Sequence, residues 1–387
     1  MRYPRGDNNL GALRYSLVLF VCMSVSAIGA EFAKLTEQPL LVDERATGVC
    51  SASLTGTIEP GDAAKIQSYV AEMEPFFDPG SNAPEHFEGY NGDGLTLCIS
   101  GPGGSYQEAL KIIAVLAEGH VWTVLPRGSE CLSACAVAFM GGLYADESGR
   151  SPARTLMAGA NLGFHAPSIT LSGTSDMPPA LVEAAYKTAL NDLQGIVTTL
   201  LVNVESSYEA SMRPSLLAAM LGTPPDDMFH VTTIDEIGRW RMNFEDGPND
   251  SINLSEANLI QVCKNLMSWK HDLQSISTAE YRSSGAFGEV RIDKIDNEDP
   301  YSDAILWKYT LQDGMFNTEC TFHVPPALQR IHDNDIRVDF TAEDISTRES
   351  TWPDTWQYLN PTMTLIGAAE RAGGLDVAAE STKERKK

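Results

Sequence analysis

Leu95-Thr96-Leu97-Cys98-Ile99, followed by Ser100-Gly101-Pro102-Gly103-Gly104-Ser105, decides how this chain is read. The first five residues are a short apolar run, which predicts a buried strand. The glycines after it predict a tight turn, and Ser105 is a helix cap. Tyr106, Ala109, Leu110, Ile113, Leu116 and Ala117 then recur at helical spacing until Gly119 stops the helix. Val121-Trp122-Thr123-Val124-Leu125 is the next apolar run. A strand, a helix and a second strand within about 30 residues form a βαβ unit with a right-handed crossover, so the fold class is α/β.

Two further turns belong with the first. Cys131-Leu132-Ser133-Ala134-Cys135 predicts a turn that runs on as a helix or buried segment to Met140. Leu162-Gly163-Phe164-His165 reads as the end of another strand. The glycine turn can expose backbone N–H groups with no side chain in the way. Ser133 supplies a hydroxyl and His165 an imidazole, the usual base for a serine. Each also has a plainer reading: a simple βα turn, a helix cap and a structural histidine. Taken together they are the minimum set for acyl transfer: oxyanion site, nucleophile and base. Cys131 is a rival nucleophile, ranked below Ser133 because export favours paired thiols. No Gly-Lys-Ser/Thr follows the glycine turn, so it is not a phosphate loop.

The 387 residues suffice for two domains or one large one. The composition, 43% hydrophobic and 21% charged, is that of a globular protein. A net charge of −24 argues against nucleic acid or an anionic membrane as main partner, since both would be repelled. Residues 1–30 read as a secretory signal peptide: Arg2, Arg5 and Arg14, an apolar run from Tyr15 to Ile28, then Gly29-Ala30. Cleavage is expected after Ala30, with an uncleaved tether as the alternative. No second apolar run is long enough to cross a bilayer. Six cysteines remain after Cys22 leaves with the signal, and export permits disulfides. Cys263 with Cys320 is the pair suggested by their shared place in the C-terminal part. Cys131 and Cys135 lack the spacing of a zinc site, and the acidic stretch Asp293 to Asp303 does not fit a calcium loop, so no metal or cofactor is expected.

Elsewhere, Thr55–Ile58 reads as a strand, Ala63–Met73 as a helix and 77–93 as a loop. Residues 144–155 read as another loop. Pro178-Pro179 opens a long helix to about Val204, with Leu181, Ala185, Ala189, Leu193, Ile196, Leu200 and Val204 on its inner face. Helices are predicted over Ser215–Leu221, Ile234–Gly238 and Ala257–Trp269, with a short strand at Phe229–Thr232. The polar break at 244–252 marks a boundary between a domain of 31–248 and a small α+β domain of 249–372. Residues 304–324 hold a hairpin, and 373–387 a polar tail.

Ser100-Gly101-Pro102-Gly103-Gly104-Ser105, the Ser133 turn and Gly163-Phe164-His165-Ala166-Pro167, in this order, resemble the Clp-type serine peptidases of the ClpP/crotonase superfamily. The Cys-x-Ser-Ala-Cys turn is similar to that of exported bacterial relatives. The resemblance covers residues 90–240. It implies a ClpP/crotonase-like ββα core, Ser133 as nucleophile, His165 as base, and an oxyanion site from the N–H groups of Gly103 or Gly104 and of Ala134. It implies Asp227, in Asp227-Met228-Phe229, as the third residue, with Asp226 as near alternative and Asp192 and Glu183 as weaker ones. The implied protein is an exported serine peptidase acting on a peptide or protein substrate, periplasmic or secreted, and able to form a homo-oligomer. Two other readings stand beside it: a non-catalytic binding or scaffold protein on the same fold, and an esterase-like acyl-transfer enzyme. The paired cysteines and the polar insertion Asp146–Arg154 depart from the Clp pattern, and residues beyond 249 have no counterpart in it.

Overall fold

A computed structural model describes residues 29–35, 50–73, 95–146, 149–167, 178–202, 212–245, 251–283, 291–295, 304–312, 317–342, 349–366 and 368. The leader up to residue 28, the loop 77–93 and the tail from 373 lie outside the described residues. Gly29 and Ala30 do not: Gly29 bridges Thr57, and Ala30 is 2% exposed with its carbonyl accepting from Lys65 Nζ. The expected last residue of the leader therefore packs as part of the fold.

The protein is a mixed α/β molecule with parallel and antiparallel sheets. Its N-terminal part alternates strands and helices: β1 (Glu31–Lys34), β2 (Ala52–Thr55), α1 (Asp62–Met73), β3 (Thr96–Ser100), α2 (Tyr106–Glu118) and β4 (Trp122–Leu125). Next come β5 (Glu130–Leu132), α3 (Ala134–Phe139), β6 (Leu143–Asp146), β7 (Gly149–Pro152), β8 (Arg154–Met157) and β9 (Asn161–Phe164). α4 (Pro179–Val197), α5 (Pro214–Gly222), β10 (Phe229–His230), α6 (Ile234–Arg239) and β11 (Asn243–Glu245) complete this part. Six strands form one sheet in the order β1-β2-β3-β4-β8-β11, parallel except for the β1–β2 pair. A second sheet, β10-β9-β5, is tied to the first by a bridge between Gly101 and Cys131.

The apolar faces explain these elements. In β3, Leu97 and Ile99 point inward, as do Ala109, Ile112 and Leu116 of α2. Ser105 caps α2, its hydroxyl accepting from the Glu108 N–H. Every residue of α3 is fully buried; small Ala and Cys side chains let a helix this short sit inside the core. The strand expected at Thr55–Ile58 lies earlier, over Ala52–Thr55; Thr57 and Ile58 make only isolated bridges, to Gly29 and Gly104.

Two further expectations are corrected. Residues 144–155, expected as a loop, form the β6–β7 hairpin and the start of β8. Arg154 there is 1% exposed, its guanidinium donating to the carbonyls of Met140, Trp240 and Arg241. A charge in the strand hid its burial, because its acceptors are scattered along the chain. The expected inner face of the long helix holds only at its end. Ile196 and Leu200 are buried, Ala185, Ala189 and Leu193 are half-buried, and Leu181 is exposed. Helical geometry continues past α4 as a π-turn over Thr198–Val202, and Val204 lies outside the described residues. Val182, Tyr186 and Leu190, at four-residue spacing, form an exposed apolar stripe.

Beyond the break at 246–250 come β12 (Ile252–Asn253), α7 (Glu256–Lys270), α8 (Thr278–Ser283), β13 (Arg291–Ile295), β14 (Ile305–Gln312), β15 (Asn317–Val324), β16 (Arg330–Ile331), β17 (Arg337–Ala342) and β18 (Glu349–Thr351). Five of these strands pair antiparallel in the order β13-β14-β15-β17-β18. Their core includes Tyr309, Phe322 and Val338, and a Cys263–Cys320 disulfide ties α7 to β15. Trp269, Trp356, Leu359, Leu365 and Ala368 join the N-terminal core instead. Gly238 makes room for this: a methyl group on it would lie 2.3 Å from the Trp269 ring.

Candidate active site

The glycine turn is built by close contacts. Gly101, Gly103 and Gly104 all have positive φ, at 154°, 110° and 135°. A Cβ on Gly103 would lie 2.7 Å from Ser133 Cβ and 2.8 Å from the Leu132 carbonyl oxygen. Only glycine adopts this conformation cheaply, and only glycine brings the backbone so near the serine. The Gly103 carbonyl accepts from the Ile58 N–H, which fixes the turn. Among the described residues, the N–H groups of Gly103, Gly104 and Ala134 have no backbone acceptor.

Ser133 sits where β5 turns into α3. Its φ of 57° and ψ of −125° are rare for an L-residue. Such strain costs about 1–3 kcal/mol and persists only where its surroundings hold it. Here the Ser133 N–H donates to the Gly163 carbonyl at 2.9 Å, and the Val137 N–H donates to the Ser133 carbonyl at 3.1 Å. Cys131 and Cys135, both fully buried, form a disulfide that closes a five-residue ring around the serine. This pairing removes Cys131 as a rival nucleophile in the oxidised protein. Ser133 occupies the N-cap position of α3 without making a side-chain cap bond, so its hydroxyl is not spent on capping.

That hydroxyl meets Tyr106. Ser133 Oγ donates to the Tyr106 hydroxyl at 3.3 Å, and Tyr106 donates to the His165 carbonyl at 3.1 Å. Both exceed the usual O–H···O length of about 2.7–2.8 Å, so the contacts are loose. The Tyr106 and His165 rings meet edge to face, with centroids 6.4 Å apart. Burial pushes the Tyr106 phenol up to about 12; the Ser133 hydrogen bond opposes this and the Asp192 carboxylate adds to it. Tyr106 is therefore neutral at physiological pH. From its spacing alone Tyr106 reads only as part of the apolar face of α2. Its position as the first helical residue after the glycine turn is the signal that could have marked it.

His165 follows β9, whose parallel pairing with β5 sets Leu132 beside Gly163. Its Nδ1 lies 2.7 Å from the Ala166 carbonyl oxygen. A carbonyl can only accept, so Nδ1 carries a proton, and in the neutral ring Nε2 is the nitrogen with the lone pair. No hydrogen bond joins the His165 ring to Ser133 among the described contacts.

The carboxylates fall differently. β10 runs antiparallel to β9 with Phe229 opposite Phe164, so the chain before it passes beside His165. The Asp227 carboxylate nevertheless is exposed and accepts from the adjacent Met228 N–H at 2.8 Å. Asp226 is also exposed, and Glu183 pairs with Lys187 on the outer face of α4. Asp192 lies close enough to raise the Tyr106 phenol, and its Oδ1 is buried with no hydrogen-bond partner among the described residues. Ser133, Tyr106, His165 and the glycine turn thus come together, whereas Asp227 reaches the neighbourhood without touching the imidazole. No group of three or more His, Cys, Asp or Glu able to hold a metal ion occurs among the described residues.

No protein-family model matches the chain, and no curated protein is similar to it in sequence. Among solved structures, it is similar to a mutant form of the 1510-N membrane-bound stomatin-specific protease. The TM-score is 0.30 and the identity 11%, over 50% of this chain and 77% of that one.

Proposed function

We propose that this protein is an exported serine hydrolase, a peptidase with a ClpP/crotonase-like core, in which Ser133 is the nucleophile and His165 its base. The observation that carries the reading is the strained Ser133 at a strand-to-helix turn, its hydroxyl uncommitted to capping and its backbone pressed against Gly103. Ser133 Oγ swings from Tyr106 to His165 Nε2, gives up its proton there and attacks the substrate carbonyl carbon. The resulting oxyanion lies against the N–H groups of Gly103 or Gly104 and of Ala134. His165 then protonates the leaving amine, and water, deprotonated by His165, hydrolyses the acyl-enzyme. His165 is oriented by the Ala166 carbonyl, and Asp227 contributes little as a third member.

Three disulfides within the chain support a periplasmic or secreted location. Among the described residues no helix is long and apolar enough to cross a membrane. The exposed stripe of α4 supports the expectation of self-association. Domains of 31–248 and 249–372 remain our division of the chain, with the second anchored to the first through Trp269 and Trp356.

Peptide turnover tests the proposal. Residues 29–387 are incubated with a mixed peptide library beside Ser133→Ala, and products are read by mass. Cleavage by the wild type alone is expected. Cleavage by both overturns it, and ester turnover without peptide cleavage moves it to the esterase reading.

A further inference from the structure

A cavity of about 290 Å³ lies between the N-terminal part and the segments that return to it, well away in sequence from the Ser133 turn. Three cations line it from three elements: Arg213 before α5, Arg241 after α6 and Lys270 at the end of α7. Met242, Leu266 and Phe340 line it as well, the Phe340 ring 5.4 Å from Lys270 Nζ, with Trp269 and Trp356 stacked at 5.7 Å. This concentration occurs in a chain with only 28 basic residues against 52 acidic ones.

The cations are held in place. Arg213 Nη2 donates to the carbonyls of Trp269 and Lys270, which bind the lip of α5 to the end of α7. Arg241, just past the end of α6, has a left-handed backbone with a φ of 57° and lines the cavity. Two carboxylates are near: Glu349 pairs with Lys270 at the cavity wall, and Asp272, held by the Ser215 N–H and hydroxyl, acts electrostatically on both Arg213 and Arg241. Burial and then the charges of Arg241 and Arg213 bring the nearby Arg154 down to about 9. A positively charged, half-apolar hollow of this size suits a small anion that carries a hydrocarbon body.

The geometry points to a binding site for a small organic carboxylate, its oxygens on Arg213, Arg241 and Lys270 and its apolar part against Met242, Phe340 and the tryptophans. The site is separate from the proposed peptidase chemistry and does not depend on it.

Calorimetric titration of the full chain with N-acetylleucine, N-acetylleucinamide and inorganic phosphate, at matched ionic strength, tests this. The carboxylate is expected to bind at least about tenfold more tightly than the uncharged amide and than phosphate, one decade being about 1.4 kcal/mol. Arg241→Gln and Lys270→Gln should each weaken it about tenfold, while Lys111→Gln on the exposed face of α2 leaves it unchanged. No carboxylate binding at 10 mM (~10 mM as the upper limit of a useful site), or equal binding of the amide, overturns the proposal. Equal binding of phosphate overturns the organic class, because charge alone is then read. Where Arg241→Gln fails to fold by circular dichroism, Lys270→Gln decides, and unchanged affinity in that variant overturns the site.

Discussion

The turn that carries Ser133 and the turn that carries Asp227 differ in how they are held. Ser133 is fixed by a disulfide ring, by two backbone hydrogen bonds and by a glycine on which a Cβ would lie 2.7 Å from Ser133 Cβ. Asp227 lies at the surface, its carboxylate closing on its own neighbour. The difference teaches that the proposed nucleophile is built into the core, while the expected third residue rides on a surface turn. A dyad with a carbonyl-oriented histidine accounts for this arrangement better than a triad whose acid already grips the ring.

The largest effect should come from His165→Ala. Loss of the proposed base should lower acylation by about 10²–10⁴-fold, read from the rate of labelling by a serine-directed probe. Gly103→Ala should follow: a methyl group 2.7 Å from Ser133 Cβ, at a φ of 110°, should reduce labelling more than tenfold (~10-fold is one decade) and lower the melting temperature. Gly61→Ala is the control, since its φ is 107° but nothing lies within 4 Å of the added carbon. It should cost about 1 kcal/mol of backbone strain and leave labelling intact.

Asp227→Asn should slow acylation less than about tenfold, against about 10⁴-fold where a buried triad carboxylate is replaced. A loss as large as that of His165→Ala would erase the contrast between the two turns. Tyr106→Phe should change the rate only a few-fold, about 1 kcal/mol, because it removes two long hydrogen bonds and leaves the ring in place.

The smallest effect concerns stability. Burial, and then the neighbouring Asp333, raise the Asp354 carboxyl from 3.8 to about 6. Between those values the folded chain keeps a proton that the unfolded chain has released. Stability from this group therefore falls as pH rises from about 4 to 6 and stays lower above it. Asp354→Asn should flatten that part of the profile, measured as urea midpoints at successive pH values.

Much of the N-terminal part was legible because its signals are local. The apolar run at Leu95–Ile99, the Ser105 cap and the helical spacing of α2 each state their element within a few residues. The Ser133 turn and His165 were marked by small neighbours and by strand ends. Tyr106 was not, since its role arises from a contact 27 residues along the chain and another 59 along. The β6–β7 hairpin and buried Arg154 were hidden by polar composition, and the exposed half of α4 by a helical period that says which face is apolar but not what covers it. The cavity proposed to bind a carboxylate needs residues from Pro152 to Gln357 brought together, a coincidence that no short stretch displays.

The most direct measurement is intact-mass analysis after fluorophosphonate treatment of residues 29–387, beside a Ser133→Ala variant of equal folded content. The account predicts one adduct on the wild type and none on the variant. No adduct on the folded wild type, under oxidising and reducing conditions alike, would contradict it and leave the binding-protein reading in its place.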